Sequence, residues 1–262
     1  MIEVEAYRAL AERAALGRPV GLVETPDPWY LKRGLVPAAL EVLVGCRLTA
    51  ARRRGKLLLL ATAGPDAVAG PVLGLRFGMS GRLVVDGAAG VAELRHSTDA
   101  PLARYDRFGL VFSDGGHLRL RDPRRLGGVQ LDPSEADLGP DAGAVTLAQL
   151  RGALAGSRAP LKTRLMDQSR LAGVGNLIAD EVLWRAGLSP LRPAGSLSPA
   201  QLRRLHHHLR AAVVDLSGRG GSHLGDLMGE RRPGGTCPDD GRALQRATVG
   251  GRTSWWCPWH QA

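Results

Sequence analysis

LKTRLMDQSRLAGVGNLIADEVLWRAG, residues 161–187, is the stretch of sequence that decides the fold. Pro160 stands just before it, near the first turn of a helix, and Gly187 ends its apolar periodicity. Asn176 stands at a cap position after Gly-Val-Gly, so we expect a second helix to begin there, with backbone N–H groups suited to an anion. A helix precedes this Gly-Val-Gly, which argues against a dinucleotide-binding turn, because such a turn follows a strand.

Helical patterns continue on both sides of this stretch. Thr146 is placed to cap a helix over TLAQLRGALAGS, and Ser198 with Pro199 is placed to begin one over SPAQLRRLHHHLRAAVVDLSG. We therefore expect a helical domain over residues 146–222. The three histidines at 206–208 cannot share one helix face, so we interpret them as solvated side chains and not as a metal site.

The upstream residues are typical of β structure. After a helical pattern over residues 2–16, short apolar or alternating runs such as LLLLATA and HLRLRD are separated by turn dipeptides. Hairpins at this spacing indicate a β-sandwich or a barrel. We expect this N-terminal domain to cover residues 1–131. The acidic residues 132–145, rich in Pro and Gly, are expected to form a linker.

The last segment, residues 223–262, carries a candidate metal site. Cys237 and Asp240 form one i, i+3 pair, and Cys257 and His260 form a second pair after a gap of sixteen residues. Pairs at this spacing can converge on one zinc ion, and carboxylate and imidazole groups are accepted zinc ligands. Zinc held by four protein ligands would be structural, because no position stays open for chemistry. The alternative is two free thiols at a chance spacing.

The charge of the chain favours a polyanionic partner, with nucleic acid first. The net charge is +10 at pH 7 and the pI is about 10.6. Between the two metal-ligand pairs the sequence alternates like a β-hairpin, and Arg246 and Arg252 on it are available to contact phosphates. Of the 35 basic residues only Lys32, Lys56 and Lys162 are lysines, so each is a candidate for a role that needs a compact charge or an amine.

Cysteine usage and hydropathy bear on the compartment. Three cysteines in 262 residues do not make a disulfide framework. No apolar run approaches the ~20 residues of a membrane span, and the N-terminus lacks the basic-then-apolar pattern of a signal peptide. We therefore expect a cytoplasmic, nucleoid-associated protein.

Six separated motifs occur in order along the chain. They are RRRGKLLLL (52–60), GMSGRL (78–83), LRLRDPRRLGG (118–128), LGPD (138–141), LKTRLMDQSRLAGVGNLIADEVLWRAGLSP (161–190) and GRTSWWCP (251–258). Together they resemble the bacterial formamidopyrimidine-DNA glycosylase / endonuclease VIII family over almost the entire chain. The resemblance implies an α+β multidomain fold: an N-terminal β-sandwich with an N-terminal helix, a helix–two-turn–helix domain and a C-terminal zinc-finger β-hairpin.

The resemblance also implies an enzyme of base-excision repair. Family members excise oxidised bases from DNA: an N-terminal proline amine attacks C1′, forms a Schiff base, and elimination then cuts the strand at the abasic site. An amine gives a protonatable iminium that serves as an electron sink, which a hydroxyl cannot provide. A neighbouring Glu acts as acid and base. The implied partner is double-stranded DNA with damaged bases or abasic sites, the implied cofactor is one structural Zn2+, and we expect a monomer.

Site residues carry over position by position. Lys56 matches the β-domain lysine that binds phosphate and helps the acid–base steps, and Arg252 matches the hairpin arginine that grips the phosphates beside the lesion. The family usually has Phe at position 126, so stacking by Leu126 would be weaker here. The family often has a DNA-contacting His at position 105, where this chain has Tyr105. The other implied DNA contacts are Met79, Arg124 and Leu126, which would fill the space left by a flipped nucleotide, and Tyr105, Lys162 and Asn176.

The N-terminus departs from the family pattern. The family usually opens Met-Pro-Glu-Leu-Pro-Glu-Val-Glu, and here Glu3-Val4-Glu5 matches the end of that opening, so the catalytic Pro and its neighbouring Glu have no counterpart. Three interpretations stay open: a start three codons upstream, a catalytically inactive protein that binds damaged DNA, or another amine, from Met1 or Lys56, in place of proline. We retain Glu3 as a candidate catalytic residue, and Met1 only for the third interpretation.

Overall fold

The computed structural model describes residues 1–91 and 103–262, and the chain divides into two compact units. The first unit is Glu3–Glu135, and the second is Ala136–Ala262 together with Met1–Ile2. The division falls inside the predicted linker over 132–145. The predicted helical and C-terminal modules, residues 146–222 and 223–262, belong to one compact unit.

The described part of the first unit contains one long helix and two antiparallel sheets. Helix α1 is Ile2–Ala14, close to the helical pattern over 2–16. The strands are β1 Val20–Glu24, β2 Arg47–Arg54, β3 Leu57–Ala63, β4 Leu73–Arg76, β5 Arg82–Val85, β6 Ala88–Ala89, β7 Asp106–Phe112, β8 His117–Arg121 and β9 Gly128–Leu131. One sheet has the order β1-β7-β8-β5-β6, and the other has the order β2-β3-β4-β9.

Both sheets and α1 contribute to one hydrophobic core, which favours a sandwich over a barrel. In β8, Leu118 and Leu120 are buried while the alternate residues His117, Arg119 and Arg121 are only half-buried, as expected for a strand with one face on the core. The first four residues of β3 are all buried, so this strand is covered on both faces. From α1, Tyr7 and Leu10 complete the core.

The second unit contains four α-helices, and two of them begin where the sequence predicts. They are α2 Leu147–Leu154, α3 Leu161–Met166, α4 Asn176–Arg185 and α5 Pro199–Arg219. The Thr146 hydroxyl accepts from the Gln149 N–H, and the Ser198 hydroxyl accepts from the Gln201 N–H. In both cases the glutamine side chain accepts from the backbone N–H of the cap residue, which completes a capping box.

The start of α4 differs from the prediction. Asn176 is the first helical residue and not the cap, because Gly175 before it has the extended backbone of an N-cap, with φ −114° and ψ 177°. Pro160 is the N-cap residue of α3, next to its first turn as predicted. The end of α4 is as predicted, since Gly187 follows it in the left-handed region with φ +58°.

The predicted hairpin is present and packs in the second unit. It consists of β10 Gln245–Val249 and β11 Arg252–Trp256, which pair antiparallel. Gly250 and Gly251 join them with φ +56° and +71°, the positive values that a tight two-residue hairpin turn requires. None of the helices in residues 1–91 and 103–262 combines the length and the apolar character needed to cross a bilayer.

Candidate functional site

Asp122 organises the loop that carries Arg124 and Leu126 in the first unit. Its side chain is fully buried, and Oδ2 accepts hydrogen bonds from the Tyr30 hydroxyl at 3.0 Å and the Gly127 N–H at 2.8 Å. Its Oδ1 accepts from the Ser80 hydroxyl and, at 3.2 Å, from the Arg124 N–H. Burial and the nearby carboxylate raise the pKa of Tyr30, so its hydroxyl stays a donor.

Met79 and Leu126 lie on two loops that are in contact. Gly78 has φ +60°, and a Cβ built on it would lie 2.6 Å from Leu126 Cβ, so only glycine permits this approach. Both apolar side chains point into solvent, with Met79 54% and Leu126 47% exposed, and Arg124 is exposed beside them. Exposed large apolar side chains next to a cation suit insertion into a base stack.

Gly127 fixes the far end of this loop. A Cβ on Gly127 would lie 2.0 Å from the Tyr30 Oη and 2.2 Å from the Arg76 carbonyl oxygen. Any side chain would therefore push the loop away from Tyr30, which also donates to Asp122. The Asp122 carboxylate and the two glycine contacts together hold the exposed residues in place.

Lys56 and Tyr105 are the other predicted DNA-binding residues of the first unit. Lys56 is half-buried in the two-residue turn between β2 and β3, directly after Gly55 with φ +59°. Tyr105 ends a short helical turn just before β7, and its hydroxyl accepts a hydrogen bond from Arg104 Nη2 at 3.0 Å. Arg104 also lies over the Tyr105 ring, with Cζ 4.9 Å from the ring centroid.

The two N-terminal candidates fall in different units. Glu3 lies in the first turn of α1 and is half-buried in the first unit. Met1 is 5% exposed and belongs with Ile2 to the hydrophobic core of the second unit.

Lys162 is not at the surface, which corrects its prediction as a phosphate contact. Its side chain is fully buried, with Nζ 2.7 Å from Asp180 Oδ1 and 2.9 Å from the Thr253 carbonyl oxygen, to which it donates. Arg231 Nη2 donates to the other Asp180 oxygen at 2.7 Å and to the same carbonyl at 3.3 Å. Burial lowers the pKa of Lys162, and the Asp180 carboxylate acts in the opposite direction.

This buried cluster of Lys162, Asp180 and Arg231 fastens β11 to the helices. Thr253 follows Arg252 directly, so the two cations that bind its carbonyl also fix the backbone beside Arg252. The side chains of Arg252 and Arg246 are exposed on the hairpin. Lys162 therefore fixes the backbone beside Arg252, and its own amine is enclosed by protein groups.

Asn176 combines a buried amide oxygen with an open helix end. Its Oδ1 is buried and has no hydrogen-bond partner among the residues that the structure describes. Gly175, at the N-cap, offers no side chain to the first N–H groups of α4. These N–H groups and the helix dipole favour an anion at this end of α4.

Three of the four predicted metal ligands come together. One ligand atom from each of Cys237, Asp240 and Cys257 lies within 4.8 Å of the others. Both thiols are free and buried, and the Asp240 carboxylate oxygens lie 3.3 and 3.5 Å from Cys257 Sγ. Burial raises the pKa of the Cys257 thiol, while the Arg242 N–H lowers the pKa of Asp240. Two thiols and one carboxylate this close together fit a zinc ion.

His260 is not part of this cluster, which corrects its prediction as the fourth ligand. Its Nε2 is 2.8 Å from the Trp184 carbonyl oxygen, and its Nδ1 is 2.9 Å from Asp239 Oδ2. Both ring nitrogens are therefore engaged elsewhere. The backbone N–H of His260 does point to Cys257 Sγ, at 3.5 Å.

Sequence reasoning missed three residues that position the site. Asp122 and Asp180 lie inside recognised motifs, so their buried carboxylates could have been singled out as organising groups. Arg231 lies in a Gly-rich segment that gives no signal of a buried guanidinium. That segment is also tied to α4, since Glu181 accepts from the N–H groups of Asp226 and Leu227, both at 3.0 Å.

Two family models match most of the chain. Residues 1–129 match the formamidopyrimidine-DNA glycosylase N-terminal domain, and residues 138–220 match the formamidopyrimidine-DNA glycosylase H2TH domain. A formamidopyrimidine-DNA glycosylase of Paracoccus denitrificans is 34% identical to this chain, over 98% of this chain and 97% of the relative. The enzyme of that name from Cereibacter sphaeroides is 37% identical, over the same shares of both chains.

Solved structures show the same fold. A complex between the Lactococcus lactis Fpg protein and DNA containing an abasic site has a TM-score of 0.82 and 24% identity, with 100% of this chain and 99% of that chain covered. A complex of MutM with DNA containing carbocyclic 8-oxo-G has a TM-score of 0.81, also at 24% identity, over 100% and 98% of the two chains.

Proposed function

The chain belongs to the formamidopyrimidine-DNA glycosylase family, and we propose that it is a base-excision repair glycosylase that removes oxidised bases from duplex DNA. The observation that carries this proposal is the pair of touching loops with exposed Met79 and Leu126 beside Arg124. Exposing these apolar side chains to water does not stabilise the folded protein, so their exposure points to an interaction site. They gain stability when they replace a nucleotide that has left the base stack.

The residues of the first unit divide the work between holding the duplex open and handling its backbone. Met79 and Leu126 fill the space of the flipped nucleotide, and Arg124 offers hydrogen bonds to the orphan base. Lys56 supplies a positive charge for a phosphate and for the acid–base steps. In the family chemistry, an amine attacks C1′, the damaged base leaves, and a Schiff base forms. Elimination then cuts the strand at the abasic site. Glu3 stays a candidate for proton transfer there.

The second unit grips the phosphates. Arg252 and Arg246 present their guanidinium groups from the hairpin, and the open N-terminus of α4 offers backbone N–H groups beside Asn176. Fixing the Thr253 carbonyl through Lys162 limits the motion of Arg252, which reduces the entropy lost when it binds a phosphate.

Cys237, Asp240 and Cys257 would hold one structural zinc ion. The ion would tie the Cys237 turn to the end of β11 and so keep the hairpin arginines in place, without taking part in the reaction. Its fourth ligand would be water, because both ring nitrogens of His260 are engaged with Trp184 and Asp239. The partner that we propose is double-stranded DNA with damaged bases or abasic sites, and the protein would act as a cytoplasmic, nucleoid-associated monomer.

Borohydride trapping tests the enzymatic proposal, because the reductant converts a Schiff base into a permanent protein–DNA link. Two versions are incubated with duplexes that contain an abasic site or 8-oxoguanine: residues 1–262, and the same chain preceded by Met-Pro-Glu. We expect a covalent complex and strand cleavage from the version that carries the added proline.

The control is the extended version with its N-terminal amine blocked by acetylation, which should bind the abasic duplex without a covalent complex. If neither version traps or cuts either duplex, the enzymatic proposal is wrong and only the DNA-binding role remains.

A further inference from the structure

Trp29, Lys32 and Arg125 form a surface of the first unit that none of the assignments above uses. Trp29 lies in a short helical turn, Pro28–Tyr30, and is 58% exposed. Lys32 Nζ is 3.3 Å from its ring centroid, and Arg125 Cζ is 4.9 Å from the same ring. An exposed indole with two cations over its ring is a cation–π cluster that orders both cations.

The two cations are held in place by more than the indole. Lys32 Nζ donates to the Trp29 carbonyl oxygen at 2.9 Å, and a Cβ on Gly128 would lie 2.5 Å from Lys32 Cγ, so the lysine stem lies directly on the backbone at the start of β9. Arg125 donates to both oxygens of Asp27, at 2.6 and 2.7 Å, while its side chain stays 47% exposed.

The surface is positively charged. Asp27 is the carboxylate within the cluster, and it is only 8% exposed and pairs with Arg125. A second cation, Arg107, has its Nη1 3.7 Å from Asp27 Oδ2. Among the described residues Lys32 forms no hydrogen bond or ion pair with a carboxylate, and Asp27 acts on it only through its charge. Burial lowers the pKa of Lys32, the Asp27 carboxylate acts in the opposite direction, and repulsion from Arg125 adds to the lowering.

The surface is also continuous with the loop that we assign to the DNA duplex. Arg125 stands between Arg124 and Leu126 with a φ of +55°, and its side chain reaches Asp27 and Trp29. A left-handed backbone costs a non-glycine residue about 1 kcal/mol, so the bidentate pair with Asp27 has to hold it. One loop therefore carries the exposed Arg124 and Leu126 together with the Arg125 that pairs with Asp27.

We infer that the Trp29–Lys32–Arg125 surface binds the phosphate backbone of the same duplex, next to the point where Arg124 and Leu126 enter it. Lys32 makes the phosphate contact, and Trp29 is a positioning residue that holds the ammonium group and shields it from solvent. Arg125 adds charge and links the contact to the inserted loop. The inference rests on the proposed function, since it extends the DNA footprint of the same protein.

The test measures affinity for a duplex with a tetrahydrofuran abasic analogue by fluorescence anisotropy over a series of salt concentrations. Lys32→Ala should weaken binding about threefold to tenfold and reduce the slope of log K against log salt by about 0.9, the value for one lost phosphate contact. Lys32→Arg and Trp29→Phe should keep most of the affinity. Trp29→Leu should lose a large part of it, and adding Trp29→Leu to Lys32→Ala should change little further.

Arg13→Ala is the matched control, because Arg13 is an exposed cation on α1 and its loss should leave the slope unchanged. Methylphosphonate linkages, introduced one at a time, locate the contact: one position should weaken the wild type but not Lys32→Ala. If the wild type binds the abasic duplex and Lys32→Ala keeps its slope, the inference alone fails. If the wild type does not bind the abasic duplex at all, the proposed function fails with it.

Discussion

At the scale of one residue, Lys162 lies in a correctly recognised motif, but the role predicted for its side chain does not agree with its buried position. Its place in the helical motif suggests a phosphate contact, yet the structure buries its amine between Asp180 and the Thr253 carbonyl. The sequence cannot reveal this, because Asp180 is eighteen positions away and Thr253 is ninety-one. Only the packing of α3, α4 and β11 brings the three together.

The buried cluster makes a ranked stability prediction. Asp180 binds both Lys162 and Arg231, so Asp180→Ala leaves two cations without a carboxylate and should lower the free energy of unfolding by about 3–5 kcal/mol. Lys162→Met leaves the Arg231–Asp180 pair intact and should cost about 1–3 kcal/mol. Urea denaturation followed by circular dichroism measures both.

The same Lys162→Met variant separates the buried role from the phosphate role. If Lys162 contacted a phosphate, its removal would reduce the slope of log K against log salt by about 0.9. With the amine buried, we expect an unchanged salt slope together with lower stability. A reduced slope at unchanged stability would restore the original prediction.

At the scale of elements, local signals predict what local chemistry decides. The caps at Thr146 and Ser198 and the stop at Gly187 each depend on a few neighbouring residues, and each is present as predicted. Asn176 is misplaced by one position because Gly175 has no side chain to signal a cap. The spacing of the C-terminal pairs predicts a shared ion, but not where the His260 ring turns.

The cluster of Cys237, Asp240 and Cys257 allows a prediction about zinc affinity, which depends on how the elements around it pack. If zinc binds Cys237, Asp240 and Cys257, then Asp240→Ala should lower zinc affinity by at least tenfold, and Cys257→Ala should abolish zinc binding. His260→Ala should keep the zinc, because the ring contacts Trp184 and Asp239 instead. The measurements are zinc content by elemental analysis and competition with a chromogenic chelator.

Asp239→Ala is the matched control, since Asp239 neighbours Asp240 but contacts His260 and not the thiols. Loss of zinc from His260→Ala as complete as from Cys257→Ala would show that the imidazole moves to the metal. No zinc in the wild type would leave Cys237 and Cys257 as free thiols.

At the scale of the whole molecule, composition and motifs predict different things. The net charge of +10 predicts a polyanionic partner but says nothing about damage. The motifs predict the order of the domains, because a β run, a linker and a helical run remain visible in one dimension. The loops of Met79 and Leu126 are in contact although more than forty residues separate them in the sequence. Only the family resemblance predicts this contact.

The two kinds of contact can be separated by experiment, because charge acts on any duplex and insertion acts only where a nucleotide has left the stack. The double variant Met79→Ala/Leu126→Ala should lower the preference for an abasic over an intact duplex by about tenfold, a share of the few kcal/mol of unstacking, and leave the salt slope unchanged. Arg246→Ala should do the reverse, with a slope lower by about 0.9 and an unchanged preference. Anisotropy titrations of both duplexes at several salt concentrations measure both quantities. A preference that survives loss of both apolar side chains would show that damage is recognised elsewhere.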